Sequence, residues 1–465
     1  FGRAVANRCA ETIKSGSSHK PLAGDACDKA LSHLDKLRNA NGDTPTAVIR
    51  DNMQRTMQAD AAVFRTSKTL KEGCDKMADI FSSFQDVKVA QILALRKYAY
   101  FDPETVANVR HVALFYGPAS RAGGQAGWVD FTPNYFSEIP AQIERGQIPA
   151  EVVFSMASPM DAHGYFSLSL GADYTMAAVA KARAVLLEVN PNVPFAYGNC
   201  LVHVSQVTAL VESSDPVLEV GLPTIGPVQA AIGKQVAELV EDGSTLQIGY
   251  GGIPDAVVIQ LTDKHHLRIH TEMRGDGIMT LVESGTVTNR RKNYLPGKMI
   301  ATFALGSAKL YRFMDRNPML EMHPVNFTND PMLAGQNDKL VAINATLQID
   351  LLGQCGSESL GHSPFSGTGG QSDFVRAANR SRGGKAIIVL PSTAKDDTIS
   401  RIAPVLSPGT HVSTSKNDIN YVVTEYGVAQ LRGKSAGQRA RELIGIAHPN
   451  FRAELTAQAK HMKLL

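Results

Sequence analysis

From about residue 90 onward, short apolar runs alternate with segments of helical period, and glycine-containing turns punctuate them. That alternation is the signature of βαβ units around a mainly parallel sheet. Strands are predicted at 112–116, 151–156 and 184–188, with a helix at 176–182. Periodicity then breaks at 212–226, where Ser213, Ser214, Pro216, Pro223 and Gly226 cluster, and this stretch reads as a connection between domains. Pro227 then opens a helix whose Val228, Ile232, Val236, Leu239 and Val240 form one apolar stripe, ended by Asp242 and Gly243. Further strands are predicted at 301–305, 340–345, 386–390 and 421–424. The first ninety residues have a different texture: 25–38 and 46–57 place apolar groups three and four apart between charges, predicting amphipathic helices.

Composition narrows the partners. The 465 residues are 43% apolar and 20% charged, enough for two or three domains with a large core. Lysine and arginine (47) exceed aspartate and glutamate (44) by only three, so no global field favours nucleic acid and small molecules are the expected partners. The five cysteines are widely spaced and never paired as C-x-x-C, which argues against a disulfide framework or a zinc knuckle. Together with the lack of a membrane-length apolar run or a signal peptide, this points to a reducing, cytoplasmic setting. The chain opens on Phe1 rather than methionine and is expected to be a fragment.

Candidate chemistry concentrates around one carboxylate. Residues 245–272 read as strand, glycine turn, helix and strand, with Glu272 at the end of the second strand. Open parallel sheets build their sites there. A glutamate after a short strand is most often a solvated loop residue, so Glu272 draws its interest from its company. One glycine turn spans 249–254, but Pro254 replaces the last glycine of a dinucleotide fingerprint and Asp255, read as the start of the helix, would face a pyrophosphate, so that cofactor is disfavoured. A second turn, in 365–374, places consecutive glycines ahead of a helix, where unpaired N–H groups can meet an oxyanion. His265, His266 and His270 lie on a strand-like stretch with no cysteine near, which disfavours a metal site. Arg290, Arg291 and Lys292 read as a solvated charged loop, and Ser158, Ser366 and the cysteines lack the context of a nucleophile.

Six stretches resemble the acetyl-CoA hydrolase/transferase family, most closely its 4-hydroxybutyrate and butyrate:acetate CoA-transferase group. They are Ser158-Pro-Met-Asp-Ala-His-Gly-Tyr-Phe-Ser-Leu168, Leu246-Gln-Ile-Gly-Tyr-Gly-Gly-Ile-Pro-Asp-Ala256, His270-Thr-Glu-Met-Arg-Gly-Asp-Gly277, Phe365-Ser-Gly-Thr-Gly-Gly-Gln371, Pro391-Ser-Thr-Ala-Lys395 and Val423-Thr-Glu-Tyr-Gly427. The resemblance runs from about residue 98 to the end. It implies an α/β fold of two mainly parallel-sheet domains, an acyl-CoA and a small carboxylate such as acetate as substrates, no permanently bound cofactor, the coenzyme A thioester being a substrate, and a homodimer as a candidate assembly. By motif it places the catalytic glutamate on Glu272, its oxyanion-stabilising amides on Gly370 or Gly369, and an orienting asparagine on Asn329. Gln247, Gly249, Gly251, Gly367 and Lys395 match positions that line the substrate or coenzyme A site. The activity implied is CoA transfer through a glutamyl-CoA thioester; an acyl-CoA hydrolase and an inactive remnant are the alternatives.

The opening of the chain departs from that family. Phe1-Gly-Arg-Ala-Val-Ala-Asn-Arg-Cys-Ala10, Asn39-Ala-Asn-Gly-Asp-Thr-Pro-Thr46 and Met53-Gln-Arg-Thr-Met-Gln58 resemble the helical region that follows the flavin domain of succinate dehydrogenase flavoprotein subunits. The flavin-binding motifs of those proteins have no counterpart here, so neither flavin nor dehydrogenase activity is expected. The organisation expected is a helical segment at 1–89, a first transferase domain at 90–220, shortened at its start, and a second at 221–465 carrying Glu272.

Overall fold

The computed structural model describes residues 87–106, 108–221, 223–249 and 251–465, together with Asn52 and Arg55. The chain divides into two compact units, Phe1–Val87 with Ala107–Val109, and Lys88–Val106 with Arg110–Leu465. The helices expected at 25–38 and 46–57 lie outside the described residues, apart from Asn52 and Arg55, which are helical.

The second unit is organised by a six-stranded sheet in the order Arg268–Ile269, Thr245–Ile248, Leu340–Ala345, Lys385–Val389, Tyr421–Thr424, Gly427–Gln430. All neighbours are parallel except the last pair. Parallel sheets are covered on both faces, and the strand side chains divide accordingly. Val341, Ile343, Ile387, Val389 and Val423 join one core with Ile232 and Val257, from the helices Pro227–Leu239 and Gly252–Ile259. Leu340, Ala342, Ala386, Ile388 and Val422 join the other, with Phe374 of the helix Gln371–Arg380 and Leu443 of Ala436–Gly445. Near-continuous apolar runs are what such doubly buried strands require, which is why 340–345 and 421–424 are found at their expected limits.

Before this sheet in sequence, Val152–Ala157, Ala184–Val189 and Ala209–Glu212 form a parallel three-stranded sheet. It packs through Val153, Ala157, Val185 and Leu187 against Phe136, Ile139 and Val179. The helix expected at 176–182 is Thr175–Lys181.

Three sequence expectations need correction. The strand expected at 112–116 is Val109–Ala113. His111 interrupts the apolar pattern in sequence, yet it is 2% exposed and stacks on Phe101 with 4.5 Å between ring centroids. The strand expected at 301–305 is two strands, Met299–Ala301 and Phe303–Ala304, broken at Thr302. The helix read as starting at Asp255 begins at Gly252 and carries Asp255 in its first turn.

Candidate active site

The position of Glu272 follows from how its strand leaves the sheet. His270 N–H still donates to Leu246 O, continuing the ladder of Arg268–Ile269 on Thr245–Ile248. Thr271, fully buried, then exchanges bonds with the neighbouring strand's end: its Oγ1 accepts from Ile248 N–H and lies 3.2 Å from Ile248 O. Past that point Met273–Arg274 pairs with Phe303–Ala304 instead. Glu272 sits at the crossover, its carbonyl accepting from Thr302 N–H (3.0 Å) and Phe303 N–H (3.3 Å). The break at Thr302 is what frees these two donors. A strand end that switches partners fixes the backbone and directs the side chain beyond the sheet edge, where α/β proteins bind ligands.

Two elements distant in sequence meet the carboxylate. Asn329 Nδ2 donates to Glu272 Oε2 over 2.6 Å. Asn329 is fully buried and closes the short helix Val325–Thr328, with its own N–H on Val325 O. His270 secures that helix from below: its Nε2–H donates to Thr328 O at 2.8 Å, and burial pushes the ring down to about 3, so it is neutral. From the other side comes Gly370, the residue preceding the helix Gln371–Arg380. A Cβ there would lie 1.7 Å from Glu272 Oε2 and 2.3 Å from Asn329 Nδ2, so any residue larger than glycine would displace the carboxylate from its amide donor. Gly369 takes a positive φ of 55°, which glycine adopts without strain, and its carbonyl accepts from Phe136 N–H. Gly367 lies flat against Phe115, where a Cβ would stand 3.2 Å from the ring.

Electrostatics then set the state of the carboxylate. Burial pushes Glu272 up to about 7; the bond from Asn329 opposes this, and the carboxyls of Asp373 and Asp173 add to it. Asp373, in the first turn of Gln371–Arg380, is itself pushed up to about 6 by burial while accepting from Ser137 N–H and Oγ–H. Asp173 is also raised by burial, and its Oδ1 accepts from Thr175 N–H and Oγ1–H. Glu272, Asp173, Tyr174, Phe115, Phe136, Phe303 and Gly369 are among the walls of a cavity of about 250 Å³. The carboxylate thus has its charge penalised by burial, accepts from one amide and opens onto a cavity.

Of the residues singled out in sequence, Glu272, Asn329, Gly369 and Gly370 are brought together. Gln247 and Gly249 stand one strand over, linked to Glu272 through Ile248 and Thr271; Gln247 is 3% exposed and its Oε1 accepts from Asn344 Nδ2 at 2.9 Å. Gly251 precedes the helix Gly252–Ile259 with φ of 124°. Lys395 lies apart, on the exposed turn between Thr393–Ala394 and Ile399–Ser400, and is not a wall of the cavity. The reading of 290–292 as a solvated loop fails at Lys292. Its side chain is 2% exposed, with Nζ donating to Ile269 O and Lys298 O, so it braces the strand that leads to Glu272. No group of three or more potential metal ligands occurs among the described residues, where the histidines 265, 266 and 270 lie. Asp173, Ser137 and Phe115 were missed in sequence because each reaches the site from an element with no motif of its own, whereas Thr271 and Asp373 lie inside marked stretches and were not singled out.

Comparison with known proteins adds the ancestry. The acetyl-CoA hydrolase/transferase N-terminal domain matches residues 57–220 and the C-terminal domain of the same name matches 306–459. The succinyl-CoA:cyclohexane-1-carboxylate CoA transferase of Geobacter metallireducens is 52% identical over 363 residues, 78% of this chain and 83% of that protein. The chain belongs to the acetyl-CoA hydrolase/transferase family. The 4-hydroxybutyrate coenzyme A transferase of Clostridium kluyveri is 45% identical over 80% of this chain and 87% of its own length. Among solved structures, RipA from Yersinia pestis superposes with a TM-score of 0.80 at 35% identity, covering 90% of this chain and all of that one. This family shares a mixed α/β fold with mainly parallel sheets and acts on coenzyme A thioesters. A stretch of 90 residues, 19% of the chain, is 57% identical to the mitochondrial succinate dehydrogenase flavoprotein subunit of rice, Oryza sativa subsp. japonica, of which it spans 14%.

Among the described residues no helix is long and apolar enough to cross a membrane.

Proposed function

We propose that this chain is an acyl-CoA:carboxylate CoA-transferase with Glu272 as its nucleophile. The observation that carries the reading is the contact set of that carboxylate: one amide donor at 2.6 Å, a glycine that leaves room for its Oε2, and an adjoining cavity. A carboxylate attacks the thioester carbonyl, and expulsion of CoA thiolate leaves an acyl-glutamyl anhydride. The thiolate then attacks the glutamyl carbonyl, releasing the first carboxylate and leaving a glutamyl-CoA thioester. An incoming carboxylate reverses both steps and departs as the new acyl-CoA.

Each addition step places negative charge on a carbonyl oxygen. The backbone amides of Gly369 and Gly370, ahead of the ten-residue helix Gln371–Arg380, are the proposed donors to it. The partial positive charge of a helix N-terminus acts in the same direction. Asn329 orients Glu272 and favours its ionised form. The relatives that act on succinyl-CoA and 4-hydroxybutyrate, by their names, support transfer to a carboxylate rather than to water. Steady-state kinetics with an acyl-CoA donor and a carboxylate acceptor test this reading. Parallel double-reciprocal lines with CoA recovered as a new thioester are expected; release of free CoA at a rate independent of acceptor would mark a hydrolase instead.

A further inference from the structure

We propose that Glu358 is a positioning residue for the oxyanion donors, setting the direction of the Gly369 amide through Thr368. The inference rests on Glu272 as the nucleophile and on the glycine turn as its oxyanion site. No helix or strand includes residues 365–370, so the direction of each amide there depends on bonds from outside the turn. One peptide is fixed by the backbone of a distant element. Phe136 N–H donates to Gly369 O, and because the C=O and N–H of a trans peptide point opposite ways, the same bond fixes the Gly370 N–H. The Gly369 N–H belongs to the preceding peptide, from Thr368. Thr368 stands between Gly367 and Gly369, and glycine torsions are the least restricted in a chain. The side chain that anchors this peptide is that of Thr368 itself, whose Oγ1–H donates to Glu358 Oε2 at 2.7 Å.

Glu358 is itself held. It lies between the strands Cys355–Gly356 and Ser359–Leu360, and the antiparallel pairing of Ser359–Leu360 with Ser363–Pro364 brings the chain back to it. Its carbonyl accepts from Phe365 N–H (2.8 Å) and Ser366 N–H (3.1 Å), so one residue holds the start of the turn by its backbone and Thr368 by its carboxylate. The neighbouring Ser357 is tied inward, its N–H donating to Ser413 Oγ and its Oγ–H to Thr346 Oγ1. The Glu358 side chain is 12% exposed, and its Oε1 lies 3.6 Å from Nδ1 of the exposed His411, which leaves Oε2 to Thr368. Released from that bond, the Thr368–Gly369 peptide can turn over. A carbonyl oxygen would then stand where a donor is required.

The test is single-turnover formation of the enzyme–CoA adduct by the whole chain, measured by intact mass with butyryl-CoA as donor. Glu358→Ala is expected to slow it at least ~10-fold, and Thr368→Val, which removes the hydroxyl and nearly keeps the shape, is expected to match that loss. Glu358→Gln keeps an acceptor oxygen and is expected within ~3-fold of the parent protein. Both slow variants break the same bond, so combining Glu358→Ala with Thr368→Val is expected to be no slower than either alone. The acidic limb of the rate is expected at the parent's pH throughout, since the bond from Asn329 to Glu272 is untouched, whereas a general loosening of the site would move it. A normal rate in Glu358→Ala, a glutamine variant as slow as the alanine one, losses that multiply in the double variant, or a displaced limb overturns the positioning role while leaving Glu272 as nucleophile. Absence of adduct in the parent protein overturns the nucleophile, and this proposal with it.

Discussion

Asn329 Nδ2 donates to Glu272 Oε2 at 2.6 Å although 57 residues separate them, and this bond is the one interaction at the site that favours the ionised carboxylate against burial. Nucleophilic attack requires that form. The acidic limb of the adduct-forming reaction should therefore fall near the value of about 7 to which Glu272 is raised, with rate lost as pH drops below it. Asn329→Ala removes the opposing bond, so the limb should move to higher pH and the rate at pH 7 should fall at least ~10-fold, recovering in part toward pH 9. A limb that stays in place would mean that Asn329 does not govern the carboxylate.

Gly370 is confined by that same pair. An alanine methyl there would overlap Glu272 Oε2, so the side chain must swing away from Asn329. Gly370→Ala should lower adduct formation at least ~100-fold, the scale of a lost oxyanion donor. Circular dichroism and melting temperature should stay close to those of the parent protein, because the contact lies at the cavity and not in a core. Near-normal turnover would show that the turn has room the contact set denies.

The raised Glu272 also costs stability in a defined pH window. The unfolded chain gives up this proton near 4.5 and the folded one near 7, so the folded state binds it more tightly. The penalty is absent below 4.5, grows between the two values and is complete above 7. Glu272→Gln should thus stabilise the protein by about 2 kcal/mol at pH 8, less than the full linkage value because part of the side chain meets solvent in the cavity. The gain should vanish as pH approaches 4. Denaturant unfolding at both pH values measures it, and an equal effect at both would point to packing rather than ionisation.

His270 acts one contact further out, through Thr328 O and the helix that ends in Asn329. His270→Phe should slow adduct formation and shift its acidic limb upward in the manner of Asn329→Ala but by less. A change in rate with no movement of the limb would place His270 outside the path to the carboxylate.

Much of this arrangement was legible in the sequence, and the reasons differ by element. Strands 340–345 and 421–424 are apolar on both faces and have no rival reading. Glu272 was marked by the strand it terminates and by the glycine pairs elsewhere in the chain. Gly370 and Asn329 were carried by motif, since nothing local in 365–371 or 328–331 announces a carboxylate partner. Lys292 misled because a run of three cations reads as solvated, whereas its ammonium finds two backbone carbonyls inside the fold. Thr302 gave no signal, as a strand break whose purpose is to donate to Glu272 O depends on a pairing that sequence periodicity does not encode. Asp173 and Asp373 raise the charge cost at Glu272 from separate elements, and such convergence appears only once the chain is folded.

The central claim is that the side chain at 272 carries coenzyme A during turnover. Incubation with an acyl-CoA, reduction with borohydride and peptide mass analysis test it directly. Reduction of a glutamyl thioester converts that side chain to the corresponding alcohol, so the account expects this change on the peptide holding Glu272, dependent on acyl-CoA. Modification of another residue, or transfer activity that persists in Glu272→Gln, would contradict it.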